Sequence, residues 1–470
     1  MLQDFRDWAW VRVSFGDSDT YDLMIDPLSG ALSGYAMIVR GQKYLSLFGD
    51  WRSVDGLRMP YWWVMQTPTE GTTNLVMSEV EVNRSFPAAL FNRPASPRKA
   101  SFADGRHSTG WIDFNLVDGK QIHFPISVNG HEADAWLDNG ATPSAIDSSF
   151  ASFIGLSALS GQIDIKSSGS SPLKGSLVPG ATVKIADLSL NNLTVQSIDL
   201  TPFGKLAGHP ISFMLGEDAF AELVVDIDFP NHRLSFSDPM RFSPPAGAVV
   251  IPLVREGINR AIEISIEDKP AIRVLLDLGM NGMLDVFPNY AQAEGLLNDR
   301  QRGSTLTSGA DGNPEEEVAI VFKTITLGKS VLENVPATVP LKVVQGRYPD
   351  DLQGYLGVDI LNRYRTILDY SHDRLYLIPD RAALNLPFMR DHIGAILLPD
   401  GENAMLVKLV SIGGPASKSG LKLGDKVVRI GGKPANKQAY DEASWLPVGT
   451  IVELMLESGE IKSVTLEEYY

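Results

Sequence analysis

The chain contains no cysteine. That absence excludes disulfides, thiolate metal sites and a cysteine nucleophile together. No run of about 18 apolar residues occurs, so no helix is expected to span a membrane. Basic residues are in deficit, with Lys+Arg 41 against Asp+Glu 57 and a formal net charge of −16. Such a balance repels phosphate backbones and anionic lipid, so nucleic acid is not an expected partner. The seven His are scattered and no His-Glu-x-x-His occurs. No zinc site, other metal or cofactor is therefore expected. A Gly-x-Ser-x-Gly elbow is missing too, and Gly328-Lys329-Ser330 lacks the upstream glycine of a phosphate loop. The opening residues Met1 to Trp8 have neither the basic nor the apolar region of a signal peptide. They lead almost directly into strand pattern, so the N-terminus reads as trimmed.

What is present is strand pattern. At 470 residues the chain is long enough for about three domains. Ala9, Val11, Val13 and Phe15 alternate with Trp8, Trp10, Arg12 and Ser14, the two-residue period of a half-buried strand. The same alternation at Val76–Val82 predicts another strand. Gly, Pro and Asp between them, as in Gly49-Asp50 and Asp55-Gly56, predict the turns of a meander. The Pro- and Ser-rich stretch Pro94–Ser101 reads as a linker.

An internal repeat follows. One copy runs from Ile126 through Ala135-Trp136-Leu137 to Asp138-Asn139-Gly140-Ala141, the other from Ile264 through Val274-Leu275-Leu276 to Asp277-Leu278-Gly279-Met280. Each later shows an apolar pair and Gly-x-Asp, as Met214-Leu215-Gly216-Glu217-Asp218 and Tyr355-Leu356-Gly357-Val358-Asp359. Each then continues into a strand pair, at Leu223–Phe236 and Tyr364–Ile378. The first anchors lie 139 residues apart and the second 141 apart. Short apolar strands similar by chance would not stay in register over that distance.

Asp138 and Asp277 each end an apolar strand, and each has Gly two residues later, where a sharp turn needs it. Two carboxylates on matching loops can share one proton, so that one activates a water while the other polarises a carbonyl. In these residues the chain resembles the retropepsin-like aspartic protease families, in the duplicated bacterial form fused to a PDZ domain. The family pattern is Asp-Thr/Ser-Gly-Ala after an apolar strand, then an apolar-apolar-Gly segment that passes beneath the loop. The resemblance runs from about Gly105 to Pro379 and implies that Asp138 and Asp277 are the catalytic pair. Asn139, Gly140, Ala141, Leu278 and Gly279 would form the active-site loops. Two positions depart from the pattern. Asn139 and Leu278 stand where the family has a hydroxyl that bonds across the lobe interface, and Leu can neither donate nor accept. Met280 stands where the family has a small residue.

The tail from about Leu386 has Ser419-Gly-Leu-Lys-Leu-Gly-Asp425 and Ile430-Gly-Gly432, which resemble the signature of bacterial PDZ modules. That resemblance implies a carboxylate-binding loop at Ile393-Gly394-Ala395 for a peptide that adds a strand. The N-terminal block is similar to the β-rich half of lipoprotein-carrier-like domains.

The expected architecture is mainly β. It comprises an N-terminal β-sheet domain at 1–97, lobes of a pseudo-symmetric, two-lobed retropepsin-like barrel at 105–243 and 244–385, and a PDZ-like domain at 386–470. Flap hairpins are expected near Ile163–Val178 and Leu306–Val318. The expected function is aspartic endopeptidase action on peptide or protein substrates, by a monomeric unit with both lobes in one chain. The alternative is a degenerate protease-like scaffold that binds peptides without cleaving them. The expected compartment is periplasmic or otherwise extracytoplasmic.

Overall fold

The computed structural model describes residues 8–15, 19–39, 42–67, 71–82, 84–87, 98–117, 119–159, 162–165, 173–256, 259–308, 313–341, 351–401 and 403–470. Strands dominate it, and the chain divides into two compact units, Met1–Pro97 and Arg98–Tyr470. Residues 94–97 of the expected linker lie outside the described residues.

The first unit is one six-stranded antiparallel meander: Ala9–Phe15, Asp19–Ile25, Leu32–Val39, Gln42–Val54, Leu57–Thr67 and Gly71–Val76, each paired with the next. Asp55 and Gly56 both take positive φ, 46° and 82°. Two such residues make the tight hairpin whose twist matches the strands it joins. Met24, Leu47 and Val64 are buried together. The sequence pattern misplaces one strand here. The alternation at Val76–Val82 forms none, and the last strand ends at Val76, opposite Trp62. One further backbone bond, from the Met77 N–H to the Tyr61 carbonyl at 2.9 Å, follows before the chain leaves the sheet.

In the second unit the two copies build sheets with the same connectivity. In the first copy, strands Gln121–Val128 and His131–Leu137 form a hairpin, and Phe213–Leu215 runs parallel to the second strand. Ala145–Asp147 lies antiparallel beyond it and Leu188–Ile198 parallel beyond that. The other copy repeats this with Asn259–Ile266, Ile272–Leu276, Gly354–Leu356, Leu284–Val286 and Ser330–Pro340. Ile122, Phe124, Ile126 and Val128 point inward at every second residue and are buried, which is why this segment reads as strand.

A third, six-stranded sheet takes strands from both copies and is joined where Val224–Asp228 pairs with Tyr364–Asp369. Arg365 crosses that junction to hold Asp226 with two hydrogen bonds of 2.9 and 2.7 Å. One continuous apolar core runs from Ala100 to Leu377. Both expected flap regions contain antiparallel hairpins, Ile163–Ile165 with Leu173–Ile185 and Gly303–Ser308 with Pro314–Leu327. Their tips, 166–172 and 309–312, lie outside the described residues.

The tail forms a separate sheet of Ala395–Pro399, Met405–Val410, Lys426–Ile430, Ile451–Leu456 and Ile461–Thr465, with the short Lys433–Pro434 beside the third. Helix Lys437–Ser444 packs on it, capped by the Asn436 side chain, which accepts from the Ala439 N–H. This layer has its own core, around Ile393, Val407, Leu454 and Val464.

Candidate active site

Each copy ends its inner strand on a short loop, and a neighbouring strand holds that loop from the side. The Asp138 N–H donates to the Leu215 carbonyl at 3.0 Å, and the Asp277 N–H donates to the Leu356 carbonyl at 3.1 Å. These bonds prolong the parallel pairing by one residue and fix where each aspartate leaves its sheet. Glycine is required just beyond. A Cβ on Gly216 would lie 2.1 Å from the Ala141 carbonyl oxygen, and one on Gly357 would lie 2.3 Å from that of Gly282. No side chain fits at such distances, so the apolar-apolar-Gly segments can pass against the aspartate loops only as glycine.

The two loops meet. A Cβ placed on Gly140 would sit 3.1 Å from Asp138 Oδ1 and 3.2 Å from Asp277 Oδ1, so one point lies almost in contact with both carboxylates. One placed on Gly279 would reach all three terminal atoms of Asp138 within 2.6 to 2.7 Å. Each aspartate also accepts a backbone bond within its own turn. Gly140 N–H donates to Asp138 Oδ1, and Gly279 N–H to Asp277 Oδ1, both at 2.8 Å. Asp138 is buried and Asp277 keeps partial exposure. Burial raises both carboxyls above the ordinary range. For Asp138 the nearby charge of Asp277 adds to burial and carries it to about 7. Burial, and for Asp138 the charge of Asp277, thus favour the protonated form of these carboxyls.

Asn139 ties the two loops. Its amide nitrogen donates to the Leu276 carbonyl at 2.8 Å and to the Tyr370 hydroxyl at 2.9 Å, while its oxygen accepts from the Leu278 N–H at 2.7 Å. Asn139 is almost wholly buried. One amide with both a donor and an acceptor thus closes both sides of the interface. Leu278 contributes its backbone here, and its side chain is fully buried in the main core. Leu278→Thr is accordingly expected to give no gain in activity and to lose about 1–3 kcal/mol, because a hydroxyl would replace packed apolar surface. A denaturant melt measures this; a more stable Thr variant would show that Asn139 leaves a cross-loop bond unmade.

Some partners were not legible as site residues. Tyr370 lies under the loops with its ring 5.5 Å from that of Phe220 and beneath the Arg260 guanidinium at 4.7 Å. Ser144 donates its N–H to Asp218 and accepts from the Gly216 N–H, which locks the crossing segment to the Asp138 loop. The repeated Gly-x-Asp was the only trace of this in the sequence. In the second copy the equivalent Asp359 pairs instead with Lys120 at 3.0 Å.

Asp138, Asn139, Gly140, Asp277, Leu278 and Gly279 therefore lie together, and Ala141 supports them through Gly216. Ile393, Gly394 and Ala395 lie apart, in the tail sheet. Two of the amides assigned to a peptide's C-terminus have a partner already: Asp391 accepts from the Ile393 and Gly394 N–H groups at 2.9 and 2.8 Å. Tyr440 also donates its hydroxyl to the Ala395 carbonyl. The expected carboxylate-binding loop is thus filled from within the chain, because an acidic residue two positions upstream can fold back onto those amides.

No curated protein matches the chain. Residues 124–219, which carry Asp138, its loop and the Met214–Gly216 segment that crosses beneath it, match the family model described as Aspartyl protease, and this part of the chain is similar to that family.

Proposed function

We propose that the chain is an aspartic endopeptidase whose two copies form a pseudo-symmetric, two-lobed unit. The observation that carries this reading is the Gly140 backbone lying against both Asp138 and Asp277, with burial raising both carboxyls. In the singly protonated pair, the ionised carboxylate takes a proton from a bound water as the water oxygen bonds to the scissile carbonyl carbon. The neutral carboxyl gives its proton to the carbonyl oxygen. The tetrahedral intermediate then breaks its C–N bond. One of its hydroxyls returns a proton to the carboxylate that had protonated the carbonyl oxygen. The other carboxyl gives the proton taken from water to the leaving amine, which restores the singly protonated pair. Neither step needs a covalent enzyme intermediate.

Cleavage of an unstructured protein, followed from pH 3 to pH 8 by mass spectrometry of the fragments, tests the proposal. A bell-shaped profile with its alkaline limb near about 7 is expected. Absence of cleavage at every pH would favour the binding scaffold instead.

We assign the tail to a PDZ-like module that braces the second copy. Its Ser411 hydroxyl accepts from the Ser304 N–H at 3.0 Å, and the Glu468 carbonyl accepts from the Gln301 side chain at 3.4 Å. Arg363, buried, donates to the carbonyls of Ala383, Leu386 and Pro387. Truncation after Pro379 would strand that guanidinium. Equal loss of cleavage on a short peptide and on a whole protein is expected, together with a lower Tm. Loss confined to the whole protein would mean that the module presents substrates.

A further inference from the structure

A polar cluster lies on the first copy, four residues upstream of Asp138 along the same strand. His123 stands opposite Trp136 across the Gln121–Val128/His131–Leu137 hairpin, and Asp134 stands opposite Pro125. Positions 123 and 134 are therefore diagonal neighbours on one face of the sheet. His209 comes from a third segment. It follows Gly208, which ends the helix Thr201–Ala207 in the left-handed conformation at φ 70°. Its N–H donates to the Gly204 carbonyl at 3.0 Å, which fixes the turn.

One carboxylate oxygen faces both imidazoles. Asp134 Oδ2 lies 2.6 Å from His123 Nδ1 and 2.9 Å from His209 Nε2. The far nitrogen of His123, Nε2, faces the Gln121 side-chain oxygen at 3.4 Å. The His123 ring thus turns one nitrogen to Asp134 and the other to Gln121. At 2.6 and 2.9 Å the carboxylate oxygen and the two ring nitrogens converge closely enough for one positive centre to be shared among them. His123 is only 1% exposed, so its ring is held in that orientation by the surrounding hairpin.

We infer that His123, Asp134 and His209 form a binding site for a divalent transition cation of the zinc class. The donor set is two imidazoles and one carboxylate, all three donor atoms lying within 4.8 Å of one another. Metal–ligand bonds of about 2.0–2.2 Å fit that spacing with small side-chain rotations. Imidazole with carboxylate suits zinc better than magnesium or calcium, which take oxygen ligands. Gln121 has the role usual for an outer partner, holding the ring nitrogen that does not ligate. Three protein ligands leave one position of a tetrahedral ion free. His209 also lines a groove of about 700 Å³ with Phe150, Phe153, Lys205 and Pro210. Sequence spacing hides the site because its ligands come from three separate segments.

Calorimetric titration of the metal-stripped full chain with ZnCl2 tests this, with Co²⁺ as a spectroscopic substitute. One equivalent bound at micromolar Kd or tighter is expected, with visible Co²⁺ bands of a nitrogen- and oxygen-ligated ion. His209→Ala and Asp134→Asn, both at partly exposed positions, should weaken binding at least about 100-fold, and Gln121→Ala roughly 10-fold. Zinc should raise the Tm of the parent and not that of His209→Ala. Circular dichroism of the metal-free variants separates loss of ligand from loss of fold. Should a variant not fold, the Co²⁺ spectrum of the parent decides. No saturable binding by the parent, a Co²⁺ spectrum without imidazole ligation, or variants that bind as well as the parent would overturn the inference and leave a proton between His123 and Asp134.

Discussion

Asp138→Asn and Asp277→Asn are each expected to abolish measurable peptide cleavage, a loss of at least about 10²–10⁴-fold in kcat/KM. An amide can neither take the proton from water nor share the proton of its neighbour, so either substitution removes both roles of the pair. The measurement is initial rate on one peptide across pH. Unchanged turnover in either variant would sink the assignment of the pair. Stability should move in the opposite direction. Folding raises both carboxyls, Asp138 from 3.8 to about 7. The folded state therefore favours the protonated pair, and its contribution to stability is complete below about pH 4. That contribution is lost as the pH rises towards about 7, where the buried group must ionise. At pH 7.5 each Asn variant should melt a few °C above the parent, and at pH 4 the advantage should vanish. Equal differences at both pH values would mean that neither carboxyl is perturbed.

Asn139→Ala should have the second largest effect. It removes the acceptor of the Leu278 N–H and the donor to the Leu276 carbonyl and the Tyr370 hydroxyl, all in a buried setting. Each unsatisfied buried group costs about 1–3 kcal/mol, so a total of roughly 3–9 kcal/mol is expected. Activity should fall further than stability alone explains, because the distance between Asp138 and Asp277 depends on the same three bonds. Asn139→Thr should recover part of both, since a hydroxyl can still donate and accept once. The check is a denaturant melt paired with kcat at a temperature where every variant is folded. A variant that loses stability but keeps full kcat would show that the loops hold their spacing without Asn139.

The duplicated anchors account for what could be read before any coordinates. Gly140, Gly279, Gly216 and Gly357 all occupy backbone positions where a Cβ would crowd the neighbouring loop, and each aspartate stands beside such a position. Constraints of that kind act locally, within a strand and its turn, so they leave a trace in residue order. The alternation at Ala9–Phe15 is legible for the same reason. Where a partner strand intervenes, legibility fails. Val76–Val82 alternates as well as any strand, yet the sheet pairing ends at Val76, and alternation alone carries no information about where a partner strand stops.

The tertiary structure alone decided the rest. Leu278 looks like a lost hydrogen bond in the sequence, but Asn139 makes the bonds for both loops across 139 positions of chain. Side-chain reach depends on how two distant loops approach, and residue order does not encode that approach. The amides of Ile393 and Gly394 are open in the sequence, but Asp391 folds back to accept from both. Histidines that look scattered along the chain converge with Asp134 because a hairpin and a helix end meet in space. Periodicity and backbone-constrained residues determined the strands and the paired aspartates. Contacts between segments far apart in the chain decided which polar groups have partners, because hydrogen bonds and ligand sets require proximity in three dimensions.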